Sequence, residues 1–185
     1  TYTADTLTID SGEPDFILSN GPWAGKTLYE LYEEAHTPWH WHRDIFQRAK
    51  ELGVTIFSSP FDKSAVDLLE KLEAPAYKIA SFEIVDIPLI DYVAQTGKPM
   101  IISTGMANDC EIDEAVSVAR GRGVENVAIL HCVSAYPTPL EQSKLYRIKD
   151  LIERYDTIIG LSDHSLGSEA ALLAVACGAN IIEKH

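Results

Sequence analysis

Short apolar runs alternate with amphipathic stretches along the chain from residue 54 onward. Six of these runs have the length and the β-branched content of buried strands: 54–59, 76–80, 99–104, 127–132, 158–163 and 179–184. Successive runs begin roughly 20 to 30 residues apart, which leaves room for a helix and two connections between neighbouring strands. The pattern therefore predicts parallel strands joined by helices.

The stretches between the runs carry apolar residues at spacings of three and four, the pattern of helices that bury one face. They predict helices at 63–72, 84–96, 111–122, 141–154 and 168–177. Gly97, Gly123 and Gly178 stand where three of these helices should end. Asp62 and Asp109 are predicted N-caps, since a side-chain oxygen there can accept from free backbone amides.

The first 53 residues have a different pattern. Residues 11–26 are rich in Gly, Pro, Asp, Asn and Ser and predict irregular chain, whereas 27–34 and 40–52 predict helices. We interpret 1–53 as a long connection into the run at 54, and 54–185 as the repeated units of the same domain. Long loops on the working face of such a fold usually serve substrate binding.

Two architectures use this repeat, the doubly wound sheet and the (β/α)₈ barrel. A doubly wound sheet concentrates its reactive groups near one switch point, whereas a barrel site draws on the carboxyl ends of many strands. Here nearly every run ends in polar residues. We therefore predict an α/β fold, an incomplete (β/α)₈ TIM barrel. We expect about two further strands to precede Thr1 in a longer protein.

Composition narrows the possible partners. The chain has 28 acidic and 15 basic residues and a formal net charge of −13, which disfavours nucleic acid as a partner. No apolar run approaches the roughly 20 residues of a membrane helix, so we expect no membrane association. Three widely separated cysteines support neither a disulfide framework nor a metal knuckle. We expect a cytoplasmic protein.

Two histidines end consecutive predicted strands. His164 and His185 would lie on neighbouring strands about 5 Å apart, close enough to meet one divalent cation. The alternative is a pair of strand-end histidines held by ordinary hydrogen bonds. We expect the alternation of side chains to turn Asp163 and Glu183 to the other face.

Lys78 lies within a predicted strand, where a lysine is costly unless it meets an anion. At the mouth of a barrel it could bind phosphate or carboxylate, together with hydroxyl donors from other strand ends: Ser59, Ser81, Ser103 and Ser162. The alternative is a lysine that reaches solvent from a strand edge. The sequence contains no phosphate-binding glycine loop and no dinucleotide fingerprint.

For the other reactive side chains, the sequence favours roles in packing or substrate binding over metal binding or nucleophilic catalysis. The histidines of the H-x-x-x-H-x-H string, His36, His40 and His42, stand beside tryptophans, which favours packing or a substrate lid over metal binding. His131 is predicted to be a satisfied core histidine, and neighbouring Cys132 an inert buried thiol.

Six strings together resemble the sialic acid synthase family and cover most of residues 54–185: IFSSPFD (56–62), AYKIASFE (76–83), KPMIISTGM (98–106), LHCVSAYPTP (130–139), GLSDHS (160–165) and IIEKH (181–185). The resemblance implies a (β/α)₈ barrel enzyme, a transferase that condenses phosphoenolpyruvate with an open-chain amino sugar. It implies that a divalent metal, Mn²⁺ or Mg²⁺ or else Co²⁺, binds His164 and His185. It also implies a homodimer whose C-terminal antifreeze-like domain lies outside this chain. Residues 1–185 alone are therefore expected to be inactive.

The resemblance also implies site residues. Its phosphoenolpyruvate-binding positions match Ser59, Lys78, Ser81, Ser103, Ser134 and Ser162. Its sugar-facing positions match Glu83 and Tyr136, and Lys78 and Glu83 are the implied catalytic residues. The sialic acid branch usually has asparagine where this chain has Ser134. Strings in 6–11 and 23–42 favour instead the branch that uses 2,4-diacetamido-2,4,6-trideoxy-altrose. Neuraminate or legionaminate synthesis, or a non-catalytic sugar- or phosphate-binding module, are the alternatives.

Overall fold

Helices and irregular chain make up the first of two units in the computed structural model, which describes residues 1–21 and 23–185. This unit is Thr1–Ala74, and its described residues form four helices: α1 (Ala4–Leu7), α2 (Leu28–Ala35), α3 (Trp39–Glu51) and α4 (Lys63–Lys71). A 3₁₀ turn spans Pro14–Phe16. Thr27 and Glu30 cap α2 reciprocally, and Asp62 caps α4 through the amides of Ser64 and Ala65, as predicted.

The predicted strand at 54–59 is wrong, because backbone groups of this segment form hydrogen bonds with other parts of the first unit. The Val54 amide donates to the Ala49 carbonyl and closes the end of α3. The Ser59 carbonyl accepts from the amino group of Thr1 at 2.7 Å. β-branched residues favour a strand only where a row of backbone partners is available, so the composition of this run was misleading.

The second unit, Pro75–His185, is a parallel sheet with helical connections. Its strands are β1 (Tyr77–Ile79), β2 (Met100–Ser103), β3 (Val127–Cys132), β4 (Ile158–Asp163) and β5 (Ile181–Lys184). Its helices are α5 (Ile87–Ala94), α6 (Asp109–Gly121), α7 (Arg147–Arg154) and α8 (Glu169–Ala176), with 3₁₀ turns at Glu83–Val85 and Leu140–Gln142. Five of the six predicted strands are thus confirmed.

Strand order decides between the two candidate architectures. The strands follow one another in the order β1-β2-β3-β4-β5, and every neighbouring pair is parallel. A doubly wound sheet reverses its strand order at a switch point, and this sheet has no reversal. Sequential β/α units are the arrangement of a (β/α)₈ barrel, so the predicted barrel fold, incomplete in this chain, is confirmed.

The core of the second unit lies between the sheet and its helices. All six residues of β3 are buried. Helix α6 buries Ile112, Ala115, Val116 and Ala119, the three-to-four spacing of one helical face. In the part of the chain that the structure describes, no helix is both long and apolar enough to span a membrane.

Helix starts differ from the predictions where capping chemistry intervenes. Helix α5 begins at Ile87 rather than residue 84, because the Asp86 carboxylate accepts from the Leu89 amide. Helix α6 is capped by Asn108, whose Oδ1 accepts from two amides, and not by Asp109. Helix α7 begins only at Arg147, after Lys144 adopts a left-handed φ of 49°.

Strands β4 and β5 approach each other closely at one position. A Cβ on Gly160 would lie 2.6 Å from Leu130 Cδ2 and 2.9 Å from Ile181 Cβ, and closer still to the Ile181 carbonyl. No side chain fits in that space. Glycine at this position therefore permits the spacing of the two strands that lead to His164 and His185.

Candidate active site

Polar side chains from several strands meet at the carboxyl end of the sheet in the second unit. Lys78 of β1 is 7% exposed, and Ser162 near the end of β4 is 3% exposed. Glu183 of β5 lies directly across from Ser162 in the strand register. Because register partners project to the same face, these side chains share one site.

Glu183 is the centre of this group. Its Oε1 accepts from Ser162 Oγ at 2.6 Å and from His185 Nε2 at 3.1 Å, and it pairs with the Lys78 ammonium at 3.2 Å. Burial raises the pKa of Glu183, but Lys78, Ser162 and His185 outweigh it, so the pKa lies below its usual value.

The expectation that Glu183 lies on the face of its strand opposite to His185 is wrong. Glu183 and His185 are two residues apart, and the period of two along a strand places both on one face. Asp163 does turn elsewhere, and its carboxylate pairs with Lys184 and accepts from Ser165. The spacing of two residues to His185 was the signal in the sequence that could have identified Glu183.

The two predicted metal-binding histidines lie side by side. The ring centroids of His164 and His185 are 4.5 Å apart, and the Tyr136 ring lies 4.1 Å from that of His164. His164 Nδ1 donates to the Val133 carbonyl at 2.8 Å, which leaves Nε2 as the nitrogen with a free lone pair. Burial lowers the pKa of His164 and so favours the neutral imidazole that binds metals.

The donor set fits a divalent cation that keeps open positions. Two neighbouring imidazoles suit Mn²⁺, Co²⁺ or Zn²⁺, and a backbone acceptor on the far nitrogen is the usual support of a metal-binding histidine. Among residues 1–21 and 23–185, no group of three His, Cys, Asp or Glu side chains could hold a metal ion. Water or substrate oxygens would therefore have to supply the remaining ligands.

A second set of side chains meets around Gly105, in the loop after β2. The Ser81 hydroxyl donates to Cys132 Sγ at 3.1 Å, and Ser134 Oγ and His164 Nδ1 each lie 4.0 Å from the same sulfur. Cys132 is buried, as predicted, but it lies beneath the site rather than apart from it. Ser81 and Ser134 are thereby brought next to the histidines.

We expect Gly105→Ala to lower the free energy of unfolding by about 1–3 kcal/mol. Gly105 has a φ of +46°, and a Cβ there would lie 2.8 Å from Ser81 Oγ and 3.1 Å from Ser134 Oγ. Gly121→Ala is the matched control, because no atom lies within 4 Å of a Cβ at that helical position. Urea denaturation of both variants measures the difference. Equal stability of the two would contradict the close packing described here.

Two buried polar atoms in the second unit have no partner within the described chain. Ser103 Oγ is one, on a residue that is 1% exposed, and Glu83 Oε2 is the other. Burial is the main cause that raises the pKa of Glu83 above its usual value. Buried polar groups without a partner are rare in folded proteins, so both atoms are available to hydrogen-bond a ligand.

The remaining predicted residues have simpler surroundings. Ser59 belongs to the first unit, where its carbonyl binds the Thr1 amino group. His36 Nδ1 donates to the Glu33 carbonyl, and buried His42 contacts Thr1 Oγ1, so these two histidines do not share a ligand. His131 donates to the Ser143 carbonyl at 2.7 Å and is a satisfied core histidine, as predicted.

Comparison with known proteins identifies the family. The model of the NeuB family matches residues 1–185. A pseudaminic acid synthase of Helicobacter pylori is 45% identical over all 185 residues, which are 54% of its length. An N,N'-diacetyllegionaminic acid synthase of Campylobacter jejuni is 39% identical over 146 residues, covering 78% of this chain and 44% of that protein.

A solved structure shows the same fold. The N-acetylneuraminic acid synthetase of Leptospira borgpetersenii, in complex with citrate, matches with a TM-score of 0.82 and 36% identity, over 85% of this chain and 55% of its own. The chain spans about half the length of the curated relatives it matches. The family match over the full chain, the level of identity and the fold agree with the resemblance found in the sequence, and the chain belongs to the NeuB family.

Proposed function

We propose that the protein is a pseudaminic acid synthase. It condenses phosphoenolpyruvate with 2,4-diacetamido-2,4,6-trideoxy-altrose in a metal-dependent reaction that yields the nonulosonic acid and phosphate. The observation that carries the proposal is the 45% identity over the full chain with a protein of that name, against 39% over a shorter stretch with a legionaminic acid synthase. The convergence of an ammonium, serine hydroxyls and two imidazoles supports the same reaction class.

The proposed reaction forms one bond between carbon atoms and releases phosphate. The methylene carbon of phosphoenolpyruvate attacks the aldehyde carbon of the open-chain sugar, and the aldehyde oxygen takes up a proton. Water adds at the cationic middle carbon of phosphoenolpyruvate and loses a proton. The new hydroxyl then loses its proton to the leaving phosphate as the bond between that carbon and the phosphate oxygen breaks, which releases inorganic phosphate and leaves the 2-keto acid.

Lys78 and the serines have the chemistry to bind phosphoenolpyruvate. The Lys78 ammonium is buried at the mouth of the sheet, and the hydroxyls of Ser81, Ser103 and Ser134 lie at or beyond neighbouring strand ends. Charge-assisted hydrogen bonds from such groups to phosphate and carboxylate oxygens fix the orientation of the substrate. The unpartnered Ser103 hydroxyl in particular has a donor to offer. Ser162, whose hydroxyl donates to Glu183 Oε1, belongs to the proposed site through that carboxylate.

Two further groups would act on the sugar. Glu83 is the candidate to accept the proton that the attacking water loses, because its unpartnered Oε2 and raised pKa make it a stronger base than an exposed carboxylate. Tyr136, 65% exposed beside His164, presents an aromatic face to a substrate in this site. A divalent metal held by His164 and His185 would polarise the sugar aldehyde as a Lewis acid.

The test is phosphate release by the full-length protein with Mn²⁺, phosphoenolpyruvate and one of three sugars. We expect kcat/KM to favour the altrose derivative over N-acetylmannosamine and the legionaminate precursor by at least about tenfold. A preference for either other sugar would reassign the branch. Binding of phosphoenolpyruvate without phosphate release from any sugar would favour a non-catalytic module. Chelation by EDTA should abolish turnover, and unchanged turnover would contradict the metal requirement.

The setting of the enzyme is also part of the proposal. Cys110, Cys132 and Cys177 are free thiols, which suits the reducing cytoplasm. We propose that the full-length protein works there as a homodimer, as its resemblance to the family implies. Light scattering of the purified full-length protein would report its mass, and a monomer at assay concentration would contradict the dimer.

A further inference from the structure

We propose that Glu183 is a positioning residue that holds the Lys78 ammonium toward phosphoenolpyruvate. None of the site residues predicted from the sequence was assigned the role of orienting Lys78. The inference rests on the proposed function, because it needs phosphoenolpyruvate as the anion that Lys78 binds. Its basis is the position of one carboxylate oxygen within hydrogen-bonding distance of Lys78, Ser162 and His185.

The Glu183 carboxylate is itself held in place. It lies across from Ser162 in the register between β4 and β5, and the Ser162 hydroxyl donates to it at 2.6 Å. A serine has a single hydroxyl proton, and in this arrangement that proton is used on Glu183. Ser162 thus serves the site by fixing the carboxylate.

The fixed carboxylate then orients the ammonium. A lysine side chain has many rotamers, and ordering it costs conformational entropy. Lys78 is 7% exposed, and Glu183 Oε1 lies 3.2 Å from its Nζ. An ammonium has three N–H donors, so one can remain on Glu183 while two are left for substrate oxygens. The pair therefore prepares Lys78 in the orientation that an anion requires.

A carboxylate beside an anion site could instead act only by repulsion. The two roles predict opposite effects of truncation. If Glu183 only repels phosphoenolpyruvate, removing its charge tightens binding, and alanine and glutamine act alike. If Glu183 positions Lys78, alanine weakens binding, whereas glutamine keeps a carbonyl oxygen that can accept from Lys78 and Ser162.

The experiment is calorimetric titration of phosphoenolpyruvate into the full-length protein, in EDTA so that metal binding does not contribute. We expect the Kd to rise at least about 30-fold in Glu183→Ala, and to stay within about threefold of the unsubstituted protein in Glu183→Gln. Steady-state assays with Mn²⁺ should show the alanine change mainly in KM for phosphoenolpyruvate. Rescue by glutamine distinguishes positioning from a general loss of folding.

Asp113→Asn is the matched control. The Asp113 carboxylate also binds two polar groups, Arg154 and the Tyr155 hydroxyl, but it lies on helix α6 and none of its contacts is with a residue of the site. Loss of the Asp113 carboxylate should leave the Kd for phosphoenolpyruvate unchanged. Thermal unfolding of each variant measures its stability separately.

The outcomes separate the inference from the proposed function. Unchanged or tighter binding by Glu183→Ala, in a protein whose unsubstituted form binds phosphoenolpyruvate, would overturn the positioning role and leave the proposed function standing. Equal weakening by alanine and glutamine would also overturn it, because the hydrogen bonds would then contribute nothing. An unsubstituted protein that does not bind phosphoenolpyruvate would refute the proposed function, and the inference with it.

Discussion

Replacing Lys78 by methionine should lower kcat/KM for phosphoenolpyruvate by about a thousandfold, equivalent to about 4 kcal/mol. The substitution removes the cation proposed to bind the substrate anion. It also leaves the Glu183 carboxylate without the ammonium that pairs with it at 3.2 Å. Both losses act in a poorly solvated site, where an unpaired charge is expensive. Phosphate release by the full-length protein at varied phosphoenolpyruvate concentration measures the effect.

Two further variants test whether the loss of activity is specific to Lys78. Lys149→Met removes an exposed lysine from helix α7 and should leave kcat/KM unchanged. Lys78→Arg keeps the charge but replaces a compact ammonium with a planar guanidinium, and should recover only part of the activity. A Lys78→Met enzyme within threefold of the unsubstituted protein would remove Lys78 from the site.

His164→Ala and His185→Ala should each weaken Mn²⁺ binding by at least about 100-fold. Two imidazoles whose ring centroids are 4.5 Å apart are the protein ligands proposed for the ion, so either substitution removes half of the donor set. His164 has the added support of the Val133 carbonyl, which directs its other nitrogen to the metal. Calorimetric titration of Mn²⁺ into the full-length protein measures binding without relying on turnover.

His36→Ala is the control for the metal experiment. His36 is half-buried on the first unit and its Nδ1 donates to the carbonyl of Glu33, so its removal should leave the Mn²⁺ affinity unchanged. Retained affinity in either His164→Ala or His185→Ala would exclude that histidine as a ligand. Equal weakening by His36→Ala would indicate that Mn²⁺ binds imidazoles on the protein nonspecifically.

The repeat of strand and helix could be predicted from periodicity because both elements bury one face. Strands β1 to β5 all fall within predicted runs, and polar strand ends favoured the barrel that the strand order confirms. The run at 54–59 shows the limit of this reasoning. Its composition resembles that of β3, but a strand also needs partners for its backbone, and composition does not reveal where those partners are.

The site was predictable only in part, since single side chains are easier to assign than their contacts. Lys78 stood out because an ammonium within an apolar strand demands an anion, and the structure places Glu183 beside it. The role of Glu183 was missed because it depends on the register between β4 and β5, a long-range feature that one strand does not carry. The proximity of Cys132 to Ser81 and Ser134 likewise arises from loops that meet only in the folded chain.

Gly160 has a consequence for the metal site that we propose. Any larger residue there would collide with Leu130 and Ile181 and force β5 away from β4. His164 and His185 lie at the ends of these strands. The distance between the two imidazoles that would hold the ion would therefore increase, although neither ring had been altered. A substitution at Gly160, which contacts no proposed ligand, would therefore change the preference of the proposed site among divalent ions of different radius.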